Sequence, residues 1–150
     1  MEKPVFLFHG GSKLVDELKP NQAYDWGHNE GNQFAVYATS IKDHAIAFAL
    51  GVVPDEHGNS SRVMHPKYGE PLKMIFVSGH PNYGGKGYVY KVSSEGFTYA
   101  GGNQWVNPNP VTPIEIIEIN VDEHLHLFRY ATEEEKAEIE EEYRRKTQRY

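Results

Sequence analysis

The sequence contains no cysteine, which removes a disulfide framework, a thiol nucleophile and a Cys-ligated metal in one step and fits a reducing compartment. No apolar run approaches the roughly 20 residues of a membrane span, and the start, Met1-Glu2-Lys3-Pro4-Val5-Phe6-Leu7-Phe8-His9, lacks the apolar stretch of a signal peptide. A cytoplasmic protein is the simplest expectation, with no membrane partner, and the sequon Asn59-Ser60-Ser61 is then incidental. Basic residues are scarce as well: 15 Lys and Arg stand against 21 Asp and Glu, for a net charge of -6. That balance argues against a protein built around a nucleic-acid backbone, whose affinity comes from clustered cations. Several catalytic signatures are missing. There is no Gly-x-Ser-x-Gly elbow and no His-Glu-x-x-His pair, and Gly84-Gly85-Lys86-Gly87 has neither the Walker ending nor the Gly-x-Gly-x-x-Gly spacing. His124 and His126 would share one face of a strand, but no third ligand stands at diagnostic spacing, so no metal site is expected.

What is present is aromatic and rich in turn residues. Ten Tyr, fourteen Gly and nine Pro point to a strand-rich fold with many tight turns, and aromatic hydroxyls suit polar ligand pockets. A chain of this length forms one domain that buries about two thirds of its unfolded surface. Pro4 to Phe8 reads as an early strand that runs into His9-Gly10-Gly11-Ser12. Ser12 is placed to cap a short helix or turn over Lys13 to Leu18, with Leu14 and Leu18 as its apolar pair. Phe34 to Thr39 alternates with period two, and Ala45, Phe48 and Ala49 then fall at i, i+3 and i+4, so a strand carrying Tyr37 leads through a polar turn into a helix. Leu72 to Val77 and Tyr88 to Val92 read as strands joined by a glycine-rich loop or hairpin, followed by shorter strands at Phe97 to Ala100 and Trp105-Val106, and a clear one within Val111 to Ile119. Thr132 with Glu135 forms a capping box for a C-terminal helix with a thin apolar face, so residues 132–150 read as a solvated appendage of a domain spanning 1–131. The polar stretches 21–33 and 54–71 have the length of lids or binding loops.

Three of these stretches together resemble the ADP-ribosyltransferase superfamily, which includes diphtheria-toxin-like toxins and the poly(ADP-ribose) polymerases. The family pattern is a His followed by Gly and Ser or Thr on the first strand, a Tyr-bearing strand with an Ala and then an aromatic on the following helix, and a Glu beside an aromatic on a later strand. This chain has Phe8-His9-Gly10-Gly11-Ser12, with one glycine more than usual. It then has Val36-Tyr37-Ala38-Thr39 with Ala45 and Phe48 in the matching places, and Asn103-Gln104-Trp105-Val106 followed by the strand at Ile114 to Ile119. Gln104 stands where the family has Glu. Most of residues 4–119 is covered.

The resemblance implies an α+β fold with a split, strand-rich core, short helices and a C-terminal helix, and NAD as substrate. The implied cofactor site is His9, Gly10, Gly11, Ser12, Tyr37 and Phe48, and the implied catalytic set is His9, Tyr37 and Gln104. His9 would bond a ribose hydroxyl, the Gly10 backbone would pair with the nicotinamide amide, and Tyr37 would stack on the nicotinamide ring. The family Glu binds the nicotinamide ribose and stabilises positive charge as the glycosidic bond breaks. Gln104 keeps the hydrogen bonding and loses the charge, a deficit of about 3 kcal/mol in the transition state, or a hundredfold or more in rate. The implied activity is a mono-ADP-ribosyltransferase, slowed or rebuilt from another residue, acting on a protein, a nucleic-acid end or a small molecule. A module that binds NAD, ADP-ribose or a nucleotide without turnover is the alternative. An RNA 2'-phosphotransferase on the same fold is a further one, although the paired arginines it would need are absent from their expected sites. Glu115 and Glu118, conceivable replacements for the absent Glu, sit mid-strand and are expected to face solvent.

Overall fold

The computed structural model describes residues 2–22 and 34–147, with side chains described as far as residue 145. Most of the loop expected at 21–33, including Tyr24 and Trp26, lies outside the described residues. The strands are β1 (Phe6–Gly11), β2 (Asn21–Gln22), β3 (Phe34–Thr39), β4 (Ser61–Val63), β5 (Met74–Ser78), β6 (Lys86–Ser93), β7 (Thr98–Gly101), β8 (Gln104–Asn107), β9 (Glu115–Asn120) and β10 (Phe128–Tyr130). The helices are α1 (Lys42–Ala49) and α2 (Glu133–Thr147). The fold is α+β. A seven-stranded antiparallel sheet has the order β7-β8-β3-β1-β6-β9, with β2 also paired to β3, and a smaller sheet has the order β10-β5-β4.

The helix α1 lies against the large sheet, and its alanines explain how closely. Ala45, Ala47 and Ala49 are buried, as is Ile46, whereas Phe48 is half-buried. Small residues let the helix backbone approach the strands, and the strands answer with glycine. A β-carbon on Gly10 of β1 would overlap the Ala45 carbonyl, and one on Gly87 of β6 would overlap the Ala49 carbonyl. Gly87, read from sequence as part of a loop or hairpin, therefore sits inside a strand as a helix-packing position. Of the two connections expected there, the structure has the loop and not the hairpin: β6 pairs with β1 and β9, while β5 pairs with β4 and β10 in the other sheet. Buried Met74, Ile75 and Phe76 make β5 the core of that second sheet.

Lys13 to Leu18 is not a helix. The segment runs as bends, Leu14 is 62% exposed, and Leu18 is buried by a bridge to Val111. Six residues cannot offset the cost of nucleating a helix, and a competing partner is at hand. The buried Tyr90 hydroxyl accepts from the Val15 amide at 2.9 Å and donates to the Lys13 carbonyl at 2.8 Å. Ser12 accordingly caps nothing. His124 and His126 are not on a strand either, since Leu125–Leu127 is a 3-10 turn, and their ring centres lie 6.3 Å apart.

At the C-terminus the capping box forms, with the Glu135 amide donating to Thr132 Oγ1 at 3.1 Å and Thr132 N–H donating to Glu135 Oε1 at 2.9 Å. The helix it starts is docked along its first half. Ile139 is buried, Glu138 pairs with Lys67, and Glu135 accepts two 2.7 Å bonds from Arg129. Among the described residues, no helix is long and apolar enough to cross a membrane.

Candidate functional site

β1 is laddered to β6 over six register pairs and β3 to β8 over four, but β1 and β3 share only the pair Phe8↔Thr39. Beyond that pair the two strands part. At the far end of β3, β2 pairs with Phe34 and Ala35. Beyond Phe8↔Thr39, His9 to Gly11 on one strand and Val36 to Ala38 on the other border an opening in the sheet. A cleft of about 1550 Å³ occupies it.

His9, Gly10, Gly11, Ser12, Tyr37, Phe48 and Gln104 all line this cleft. They reach it from different directions. Along β1, Phe8 packs with α1 and Gly10 abuts it, while Leu7, His9 and Gly11 face the other side with Tyr90. The His9 ring spans the opening to the opposite strand, Nδ1 lying 2.6 Å from the Tyr37 carbonyl. A carbonyl only accepts, so Nδ1 carries the proton and donates, leaving Nε2 as an acceptor. Burial lowers the His9 pKa, against the opposing effect of that carbonyl bond, and so favours the neutral ring.

Tyr37 and Gln104 share a face of the sheet. Gln104 pairs with Thr39, two residues along β3 from Tyr37, which makes the two side chains diagonal neighbours. Tyr37 is half-buried against Ala35, Ala100 and Val106. Gln104 begins β8 directly after the turn Gly101-Gly102-Asn103, in which all three residues have positive φ and Asn103, at 64°, is the one that is not glycine. The tightness of that turn aims Gln104 into the cleft. Glu115 and Glu118 are exposed on β9, and Glu118 pairs with Lys86. Neither lines the cleft.

The two glycines divide their duties in a way the sequence does not reveal. Gly10, expected to be bare so that a ligand can reach its backbone, is also bare because α1 lies where its side chain would be. Gly11 is the glycine that faces the site, where a β-carbon would lie 4.0 Å from His9 Nε2 and 3.9 Å from the Tyr90 ring, both ordinary contacts.

The far wall comes from residues 62–66 and 70–72, all but Leu72 within the expected polar loop at 54–71, which contains β4 and a 3-10 turn at Pro66–Tyr68. Sequence reading missed its main contribution, Arg62. The guanidinium lies over the Phe48 ring, 5.4 Å from its centre, and donates from Nη1 to the Phe48 carbonyl at 3.3 Å. Burial lowers its pKa to about 10. The only signal in the sequence is an arginine amid turn residues, which by itself reads as a solvated surface. Nearby, burial lowers the pKa of His44 on α1, with Asp43 and Glu70 acting in the opposite sense.

The site therefore offers a hydrogen-bond acceptor at His9, a side-chain amide at Gln104, aromatic surface at Tyr37 and Phe48, a cation at Arg62 and main chain at a parted strand pair. Among the described residues, no group of three or more His, Asp or Glu is placed to hold a metal. A scan of the chain against protein-family models gives no match, and neither curated proteins nor solved structures provide one.

Proposed function

We propose that the cleft binds NAD and that the chain is a slow mono-ADP-ribosyltransferase. One observation carries the reading: the three stretches that resemble the ADP-ribosyltransferase motifs, far apart in sequence, lie on the adjacent strands β1, β3 and β8 and line one cleft. In this reading His9 Nε2 accepts a hydrogen bond from a ribose hydroxyl, which the Nδ1 bond to Tyr37 prepares by fixing the tautomer. The nicotinamide amide meets main chain at Gly10, and the ring lies on Tyr37. Nicotinamide departs with the electron pair of its glycosidic bond, and an acceptor nucleophile attacks the anomeric carbon and releases its proton. Gln104 bonds the nicotinamide ribose without supplying negative charge, which accounts for a slow reaction. The same glutamine favours a second reading, a module that binds NAD or ADP-ribose without turnover.

Thermal unfolding with NAD and with ADP-ribose tests the binding step. Ligand at 100 times its dissociation constant stabilises the fold by about 2.7 kcal/mol, which for a chain of this size is roughly 5–10 °C. The shift is expected for the wild type and is lost in His9→Ala and in Tyr37→Ala. Nicotinamide release separates the two readings: Gln104→Glu is expected to raise NAD hydrolysis at least tenfold if the site is catalytic. Binding without release in either form would leave the binding module, and absence of any shift would refute both.

A further inference from the structure

Among the described residues, Arg62 is the one cation that the second sheet sends into the cleft, and none of them gives it a counter-charge. Among the described residues, no carboxylate lies within 4.0 Å of its guanidinium, and its sole hydrogen bond is the Nη1 contact with the Phe48 carbonyl. A guanidinium has five N–H donors in a rigid fork, so most of this fork is unspent. The unspent donors also remain accessible, because among the described residues no fully buried side-chain nitrogen or oxygen lacks a partner. Arg62 lines the cleft, so the cleft is where its open edge lies.

A charge moved out of water is costly unless it is paired. The fold holds Arg62 in position nonetheless. Its plane is steadied by the Phe48 ring, and one donor is tied to a carbonyl in the last turn of α1, where a cation is favoured by the helix dipole. Held in this way, the fork loses little freedom when it takes up a partner. A planar array of charge-assisted donors matches the paired oxygens of a phosphate or diphosphate better than any neutral group.

We propose that Arg62 is an anion anchor that holds a phosphate or diphosphate group of the ligand from the side of the cleft opposite β1 and β3. The assignment rests on the NAD reading for the identity of that group, the diphosphate linking the two nucleosides. It does not rest on that reading for the anion site itself. It also gives the second sheet a role, since β4 delivers the residue that the three motif strands lack. The distance in sequence, with Arg62 in a stretch that resembles none of the family motifs, is why no pattern marks it.

The test is calorimetric titration of NAD and of sodium diphosphate into the wild type, Arg62→Gln and Arg62→Lys, with folding checked by circular dichroism. The expected result is that both ligands bind the wild type, that Arg62→Gln weakens each about 10- to 100-fold, and that Arg62→Lys, which keeps the charge but not the fork, loses less. Nicotinamide riboside, which carries no phosphate, should be affected less than threefold by either change. Equal loss of nicotinamide riboside and NAD in Arg62→Gln would overturn the assignment and make Arg62 a support for Phe48 alone. Undiminished NAD binding in both variants would overturn it while the NAD reading stood. Diphosphate binding that needs Arg62, with no binding of NAD to the wild type, would leave the anion site standing and refute the NAD reading.

Discussion

Replacing Gly10 by alanine should unfold the protein far more readily than the same change one residue later. At Gly10 the added β-carbon would overlap the Ala45 carbonyl oxygen and crowd its carbon and the Ala49 amide nitrogen, all backbone atoms of α1. No side chain can swing aside. Either α1 retreats from the sheet, opening gaps around the buried Ala45 and Ala49, or β1 bends. Overpacking of this kind costs about 1–3 kcal/mol and more when backbone must move, so roughly 3 kcal/mol is expected, or a fall of roughly 6–12 °C in Tm. At Gly11 the new methyl would meet only the Tyr90 ring and His9 Nε2 at ordinary contact distance, and neither glycine has the positive φ that alanine would strain. Gly11→Ala should therefore be neutral within about 1 kcal/mol, helped by the reduced entropy of the unfolded chain. It should nevertheless weaken ligand binding, because the methyl stands beside His9 Nε2. Urea unfolding of the wild type and both variants, followed by NAD titration of Gly11→Ala, measures all of this. Equal stabilities for the two variants, or the reverse order, would refute the division of labour between the glycines.

Other outcomes follow from single contacts. The Arg129 guanidinium holds the Glu135 carboxyl well below its ordinary value, at about 2. A depressed carboxylate stabilises the fold above its unfolded pKa and loses that contribution as pH falls, so α2 should loosen between about pH 4.5 and 2. Hydrogen exchange of its amides reports this, and Glu135→Gln should loosen the helix at neutral pH and flatten the profile. Tyr90→Phe removes the hydroxyl that bridges Lys13 and Val15. It should cost about 1 kcal/mol and hasten proteolysis within residues 13–17, and unchanged cleavage would sink the idea that this hydroxyl holds the segment. Burial lowers the His9 pKa and so favours the neutral ring in the folded state. Its contribution to stability is present above its unfolded pKa and is lost as pH falls below about 6.5. NAD binding should hold as pH falls through 6.5 and weaken only further down, as the folded ring takes its proton at its lowered pKa, because protonated Nε2 cannot accept from a hydroxyl, and binding that strengthens as pH falls would contradict the assigned tautomer.

The parts of the fold that the sequence discloses are those written locally. The alternation of Phe34 to Thr39, the small residues of α1 and the Thr132–Glu135 box each state their structure within a few residues, and each element forms there. The residues picked for the cleft came from motif likeness, and the cleft gathers them because adjacent strands carry them. What escapes notice depends on partners far away in the chain. Leu14 and Leu18 have helical spacing, yet Tyr90, more than 70 residues on, takes the backbone groups that a helix would use. Gly87 looks like a turn residue until Ala49 is known to lie over it. Arg62 gains its meaning only from Phe48, on a helix that precedes it. The likeness of Pro54 to Pro71 to a plain polar loop comes from composition, which says nothing about the sheet that β4 and β5 complete.

The single register pair between β1 and β3 gives the large sheet the mechanics of a seam rather than of a continuous fabric. On one side of it stand β7, β8, β3 and β2, and on the other β1, β6 and β9. Widening the gap would break one ladder pair, Phe8↔Thr39, and the His9 bond to the Tyr37 carbonyl, while each half keeps its own register.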